Sequence, residues 1–223
     1  MHYLLGVDFG GGASKATLLG CDGRVAATHT VEYPTAYPKS GWAEQDPENW
    51  YAAICENIRE VLSKSRVRPE DIVMVALDAA THTAVLLDEQ HRVLRPAIYW
   101  TDTRCTEEAA ELRKTYGDRI RQQTLHSPDT IWTLPQLLWV KRHEPEIWNR
   151  IRYMLFAKDM VRYRLTGVYG TDEIEAQGSM LFDCEKGQWS PELCGILGFP
   201  AENLPPVHRP TDPAGAFTAY AAA

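Results

Sequence analysis

The stretch VDFGGGASK, residues 7–15, sets an aspartate and a lysine on either side of three consecutive glycines. Glycines let a charged ligand approach main-chain N–H groups without meeting a Cβ. Asp8 can hold Mg2+ through water, and Lys15 can meet a phosphate as a point charge. Asp8, Gly10, Gly11, Gly12 and Lys15 therefore form a candidate phosphate clamp, the alternative being an ordinary glycine turn opened by an aspartate. A second group is ATHT, residues 80–83, with YWTDTR, residues 99–104. Trp100 offers a flat apolar face of the kind that receives a sugar ring, while His82, Asp102 and Arg104 supply donors and acceptors for hydroxyls. The alternative is a structural Asp-Arg ion pair beside a core tryptophan and a hydrogen-bonded core histidine. A third, TDEIEAQGS at 171–179, carries acids that suit a helix cap or a solvated face.

These residues need elements to hold them. Alternating and apolar runs predict strands at Tyr3–Phe9, Ala16–Leu19 and Arg24–Tyr33, the last two joined across Asp22-Gly23, a strong hairpin signal. Residues 34–45 read as a loop, after which Asp46-Pro47 supplies an N-cap and a proline at the first helical position. Trp50, Ile54, Ile58, Val61 and Leu62 then recur at helical spacing and define one apolar face. A further strand is predicted over Ile72–Leu77, followed by a hairpin of Thr83–Leu87 with Arg92–Leu94 across residues 88–91. Helices are predicted at Thr106–Tyr116, Leu134–Arg142, Pro145–Arg150 and Lys158–Leu165, with Gly167 as a stop and Ser190-Pro191 opening another. The terminal AFTAYAAA, uncharged and uncapped, reads as a chain cut before its next element.

With 223 residues, 44% hydrophobic and 24% charged, the chain can bury a sizeable core. A net charge of −7 counts against nonspecific binding to nucleic acid or anionic membrane, so any phosphate must be handled by local groups. The five cysteines are dispersed and free of CxxC spacing, and no signal-peptide pattern opens the chain, which points to a reducing cytoplasm. No segment reaches the ~20 apolar residues that span a bilayer. Walker, GxGxxG, HExxH and GxSxG patterns are missing, and the seven histidines do not cluster at metal-ligand spacing.

Taken together, GVDFGGGASK, GWAEQDPENWY, RVLRPAIYWTDTR, LPQLLWVKRHEPEIW, FAKDMVRYRLTG and TDEIEAQGSMLFD resemble, in order along essentially the whole chain, the FGGY carbohydrate kinases, most closely their xylulokinase-like members. The resemblance implies an α/β domain of the actin-like, ribonuclease H-like ATPase type, a three-stranded antiparallel meander followed by βα units. It would be the first of two such domains that close over sugar and ATP. Residues 1–223 would supply the sugar-kinase N-terminal domain, with a C-terminal ATP-binding domain and the general-base aspartate beyond Ala223. By resemblance Asp8 would serve Mg2+ and phosphate, Gly10–Gly12 would form the phosphate hairpin, and Lys15 would lie near the transferred group. Thr81, His82, Trp100, Asp102 and Arg104 would line the sugar pocket. The implied activity is ATP-dependent phosphorylation of a ketopentose such as xylulose. Alternatives are another pentulose or polyol, or a noncatalytic sugar-binding module. Implied partners are the sugar and the chain's own C-terminal domain, with homodimerisation left open. Three departures weaken the substrate identity: Ala80-Thr81-His82 stands where xylulokinases carry Gln-Met-His, Gln136 where relatives have lysine, and Glu175-Ala176 where Asn or Asp with a small neighbour is commoner.

Overall fold

In the computed structural model, which describes residues 1–222, the chain divides into two compact units. The first comprises Met1–Thr35 and Asp46–Ala80. Its strands β1 (Tyr3–Phe9), β2 (Ala13–Gly20) and β3 (Val25–Glu32) form the expected antiparallel meander, and Ile72–Ala79 joins β1 in parallel. At the β2–β3 turn Gly23 takes φ 84° and the Asp22 carboxylate accepts the Arg24 N–H. Alternation sends Leu5, Val7 and Phe9 into the core and leaves Gly6 and Asp8 exposed.

Helix α1 (Pro47–Ser65) begins where its sequence says it should, with Asp46 accepting the Glu48 N–H and Pro47 in the first turn. It ends at Arg66 in the left-handed conformation rather than at a glycine. Trp50, Ile54 and Val61 are buried from its predicted face, and Phe9 of β1 meets Trp50 at 6.1 Å between ring centroids. The same helix buries a polar residue: Asn57 donates to the Ser14 carbonyl (3.0 Å) and hydroxyl (2.9 Å), and its oxygen meets His29 Nδ1 at 3.2 Å. These bonds tie the glycine hairpin's second strand to α1 from the buried side.

The second unit comprises Ala36–Gln45 and the chain from Thr81 onward. The strand Ala84–Leu87 is buried at every position and pairs antiparallel with Tyr153–Phe156. The predicted hairpin with residues 92–94 forms in a short version, an antiparallel bridge of Leu87 with Val93 in which the Asp88 N–H donates to the Arg92 carbonyl (3.0 Å) and the Leu94 N–H to the Leu86 carbonyl (2.9 Å). Ala84–Leu87 is therefore paired on both edges, and the distant partner Tyr153–Phe156 carries no local turn signal in the sequence. Helices α2 (Thr106–Thr124), α3 (Thr133–His143), α4 (Pro145–Trp148), α5 (Ala157–Thr166), α6 (Glu173–Gly178) and α7 (Pro191–Leu197) follow. α2 runs two turns past its predicted end because Ile120 continues the buried stripe begun by Ala109 and Leu112. Gly167 terminates α5, Asp172 caps α6, and Ser190 caps α7. The unit's core gathers Leu112, Leu134, Leu137, Phe156, Leu181 and Leu193.

Candidate functional site

In the first unit the β1–β2 register sets Asp8 opposite Lys15, and the parallel strand sets Asp78 beside Asp8. Residues directly opposite in a sheet share a face with Cβ atoms roughly 5 Å apart, so Lys15, Asp8 and Asp78 form a row on the exposed face. Burial and then the neighbouring charge of Asp78 raise the Asp8 carboxyl above its ordinary range. The row ends at the glycine turn. There the Gly10 carbonyl accepts from the Tyr33 hydroxyl (2.7 Å), the Gly11 carbonyl from the Thr35 hydroxyl (2.6 Å), and the Gly12 carbonyl from the Tyr33 N–H (3.0 Å). Three successive acceptors, the groups that repel an anion, are thereby held back against residues 33–35.

A Cβ built on Gly10 or Gly12 would meet no protein atom within 4 Å, and neither residue has a positive φ. Packing and backbone conformation thus do not demand glycine there, and the open space would admit a charged group close to the backbone, although the Gly10 N–H is itself spent on the Ala13 carbonyl (3.1 Å). Lys15 and the open glycine backbone would suit a phosphate group, with Asp8 and Asp78 calling for a cation beside it. No group of three or more histidine, cysteine or acidic side chains that could hold a metal occurs among the described residues. A magnesium ion at Asp8 would therefore share its coordination with phosphate and water, as that ion commonly does.

The second unit contains the other predicted group. Asp102 is fully buried, and its carboxylate is fully used by the protein. Oδ1 accepts the Arg104 N–H (2.8 Å) and Nε–H (3.0 Å), while Oδ2 accepts the Ala43 N–H (2.5 Å) and an Arg104 Nη2–H (2.8 Å). Four bonds fill the acceptor positions of a carboxylate. Arg104, whose side chain is also fully buried, pairs with Glu44 at 2.8 Å and stacks 3.8 Å above the Trp42 ring, with Trp139 at 5.0 Å. Asp102 and Arg104 thus build a buried corner that ties residues 42–44 to residues 99–104. Trp100, two residues before Asp102, remains 43% exposed. The turn from Tyr99 to Asp102, closed by the Asp102 N–H on the Tyr99 carbonyl at 2.9 Å, projects it from the corner.

His82 takes φ 48°, in the left-handed region. Its N–H donates to Glu175 Oε2 (2.6 Å), its carbonyl accepts from the Thr133 hydroxyl (2.8 Å), and its ring tilts against Trp132 at 4.8 Å. Burial and then the charge of His126 push the His82 imidazole down to about 4, so it is neutral at physiological pH and offers one donor and one acceptor. Thr81, just before it, is half-buried.

Four contributors escape a reading by residue type. Trp42, Ala43 and Glu44 lie in a segment that reads as loop, and only the GWAEQDPENWY resemblance marks it. Glu175 sits among acids that suggest a solvated face, yet it is fully buried. Asp172 behaves as the pattern allows, capping α6 through the Ile174 and Glu175 N–H groups.

The matches to known proteins follow this arrangement. Residues 3–223 match the model of the N-terminal domain of the FGGY family of carbohydrate kinases. The chain belongs to that family, and its meander with a parallel fourth strand is the family's actin-like α/β fold. It is 36% identical over its whole length to the xylulose kinase of Bacillus subtilis (strain 168), and 29% identical over 215 residues to the glycerol kinase of Thermococcus gammatolerans. The crystal structure of a xyloylose kinase from Brucella ovis superposes with a TM-score of 0.93 at 34% identity, covering 99% of this chain and 45% of that one. The chain spans 45% of the length of the Bacillus relative and 44% of the Thermococcus one. No helix among the described residues is long and apolar enough to cross a membrane.

Proposed function

We propose that the protein containing this chain transfers the γ-phosphoryl group of ATP to a hydroxyl of a sugar, a ketopentose such as xylulose being the class its relatives support best. The observation that carries the reading is the glycine hairpin: Asp8 and Lys15 face each other across it on an exposed strand face, and its carbonyls are drawn away from any approaching anion. Bound ATP with Mg2+ supplies the phosphoryl group and neutralises its oxygens. Asp8 would hold the ion, Gly10–Gly12 would lie along the phosphates, and Lys15 would balance charge on the transferred group. Such a reaction asks little covalent chemistry of the protein, so positioning and charge suffice.

On the sugar side, Thr81, His82 and Trp100 would touch the substrate, His82 through its neutral ring and Trp100 through its exposed face. Asp102 and Arg104 would act one step back, holding the loop that carries Trp100. The general base would be an aspartate outside residues 1–223. Five free cysteines support a reducing compartment, the cytoplasm, for the protein.

Coupled ADP-release assays on the product of the complete coding sequence, with xylulose, other ketopentoses, gluconate and glycerol, test the proposal. Sugar-dependent turnover highest with one ketopentose supports it. Sugar binding with no turnover makes the protein a binding module, and turnover confined to glycerol or gluconate changes the substrate.

A further inference from the structure

Glu175 is 0% exposed, and only one of its carboxylate oxygens has a hydrogen-bond partner. That partner is the backbone N–H of His82, ninety-three residues earlier. Burying a carboxylate is costly, and an apolar side chain of similar volume would fill the space without that cost. Lys158 of α5 lies beside α6 but pairs with Asp159 at 2.9 Å and Asp172 at 2.8 Å, so it offsets the cost of an ionised Glu175 only in part. Asp172 in turn fixes the first turn of α6, the turn that contains Glu175.

The contacts on His82 converge. A left-handed φ is unfavourable for a residue with a Cβ, so its retention needs outside support. Glu175 supplies it at the N–H and Thr133 at the carbonyl. One turn beyond Glu175, Gly178 lies under the imidazole: a Cβ there would stand 2.7 Å from His82 Nδ1, close enough that the ring would have to shift, and a tight 3.1 Å from its Cβ. α6 therefore acts on both the backbone and the ring of His82, beside Thr133 at the carbonyl and Trp132 at the ring.

We propose that Glu175 is a positioning residue for substrate recognition: through the His82 N–H, and with Gly178 making room for the ring, it aims the His82 imidazole at the sugar. This rests on the reading of His82 as a sugar contact. The charged groups facing Glu175 are Lys158 and Asp159 of α5 and Asp172 at the start of α6. Burial, only partly countered by Lys158, pushes its carboxyl up to about 8, so near neutrality it is largely protonated while its oxygen still accepts the His82 N–H.

The test pairs kinetics with a local probe. In the product of the complete coding sequence, with xylulose and ATP, Glu175→Leu is expected to raise KM for the sugar roughly tenfold or more while KM for ATP moves less than about twofold. Glu175→Gln, which keeps an acceptor oxygen, is expected to restore the sugar KM to within about threefold of wild type. If Glu175→Leu does not fold, Gly178→Ala gives the same reading by displacing the ring. An unchanged sugar KM in whichever of the two folds overturns the proposal, as does a loss that Gln fails to rescue. The backbone amide resonance of His82, followed with 15N-histidine, is expected to move upfield in Glu175→Leu as its hydrogen bond is lost, and to stay near the wild-type position in Glu175→Gln. If wild type phosphorylates no sugar, the kinase reading fails by itself. The amide then still decides the clamp: an unmoved His82 resonance in Glu175→Leu, or in Gly178→Ala where Leu does not fold, overturns it.

Discussion

Replacing Asp102 with alanine separates a ligand contact from a structural corner. The substitution removes four hydrogen bonds at once, three from Arg104 and one from the Ala43 N–H, all in a fully buried setting. Removing one partner of a buried ion pair typically destabilises a protein by about 3 to 5 kcal/mol, because the other charge is left uncompensated. Here Glu44 still lies 2.8 Å from Arg104, and the Trp42 ring still stacks on it, so the lower end of that range applies. At about 2 to 4 °C per kcal/mol for a domain of this size, ~3 kcal/mol corresponds to a fall in Tm of about 6 to 12 °C. Asp102→Asn keeps one acceptor oxygen and should fall less. Thermal unfolding by circular dichroism, with urea titration as a check, measures the loss, and calorimetry below the transition measures sugar affinity. A Tm within about 2 °C of wild type together with complete loss of sugar binding would refute the reasoning, since Asp102 would then have to contact the sugar directly.

Three further outcomes are expected. Asp8→Asn should lower kcat on the order of 100-fold with sugar KM nearly unchanged, as steady-state kinetics of the full-length product will show. Because Glu175 holds its proton more tightly folded than unfolded, its contribution to stability is complete below the ordinary glutamate range and is lost as pH rises through about 8. Glu175→Gln should therefore flatten that part of the urea-midpoint profile measured from about pH 5 to pH 9, and an identical slope in the variant would count against the buried carboxyl. Sugar affinity should show no His82 titration around neutrality and should weaken only as pH falls toward about 4, where the ring gains a proton; a calorimetric pH series checks this.

What the sequence determined by itself lies close together along the chain. The meander follows from alternation and the Asp22-Gly23 turn, and α1 begins at Asp46-Pro47 because capping and proline geometry are local effects. The Asp8, glycine and Lys15 arrangement was equally legible, since an antiparallel register around a short turn forces those side chains onto one face. The tertiary structure alone decided which distant segments meet. Ala84–Leu87 keeps its local neighbour on one edge and takes Tyr153–Phe156 on the other, and that distant pairing was not legible because an apolar run carries no label for its partner. The types of Asp102 and Arg104 suited hydroxyl recognition as well as an ion pair, and only the arrival of Ala43, Glu44 and Trp42 from an apparent loop completed the Asp102 acceptors and enclosed the Arg104 side chain. Glu175 shows the limit most sharply. In the stretch 172–175, with acids at 172, 173 and 175, nothing local distinguishes a solvated carboxylate from a carboxyl enclosed near Lys158 and bound to the backbone of His82, because burial is a property of the packed elements around a residue and not of its neighbours in sequence.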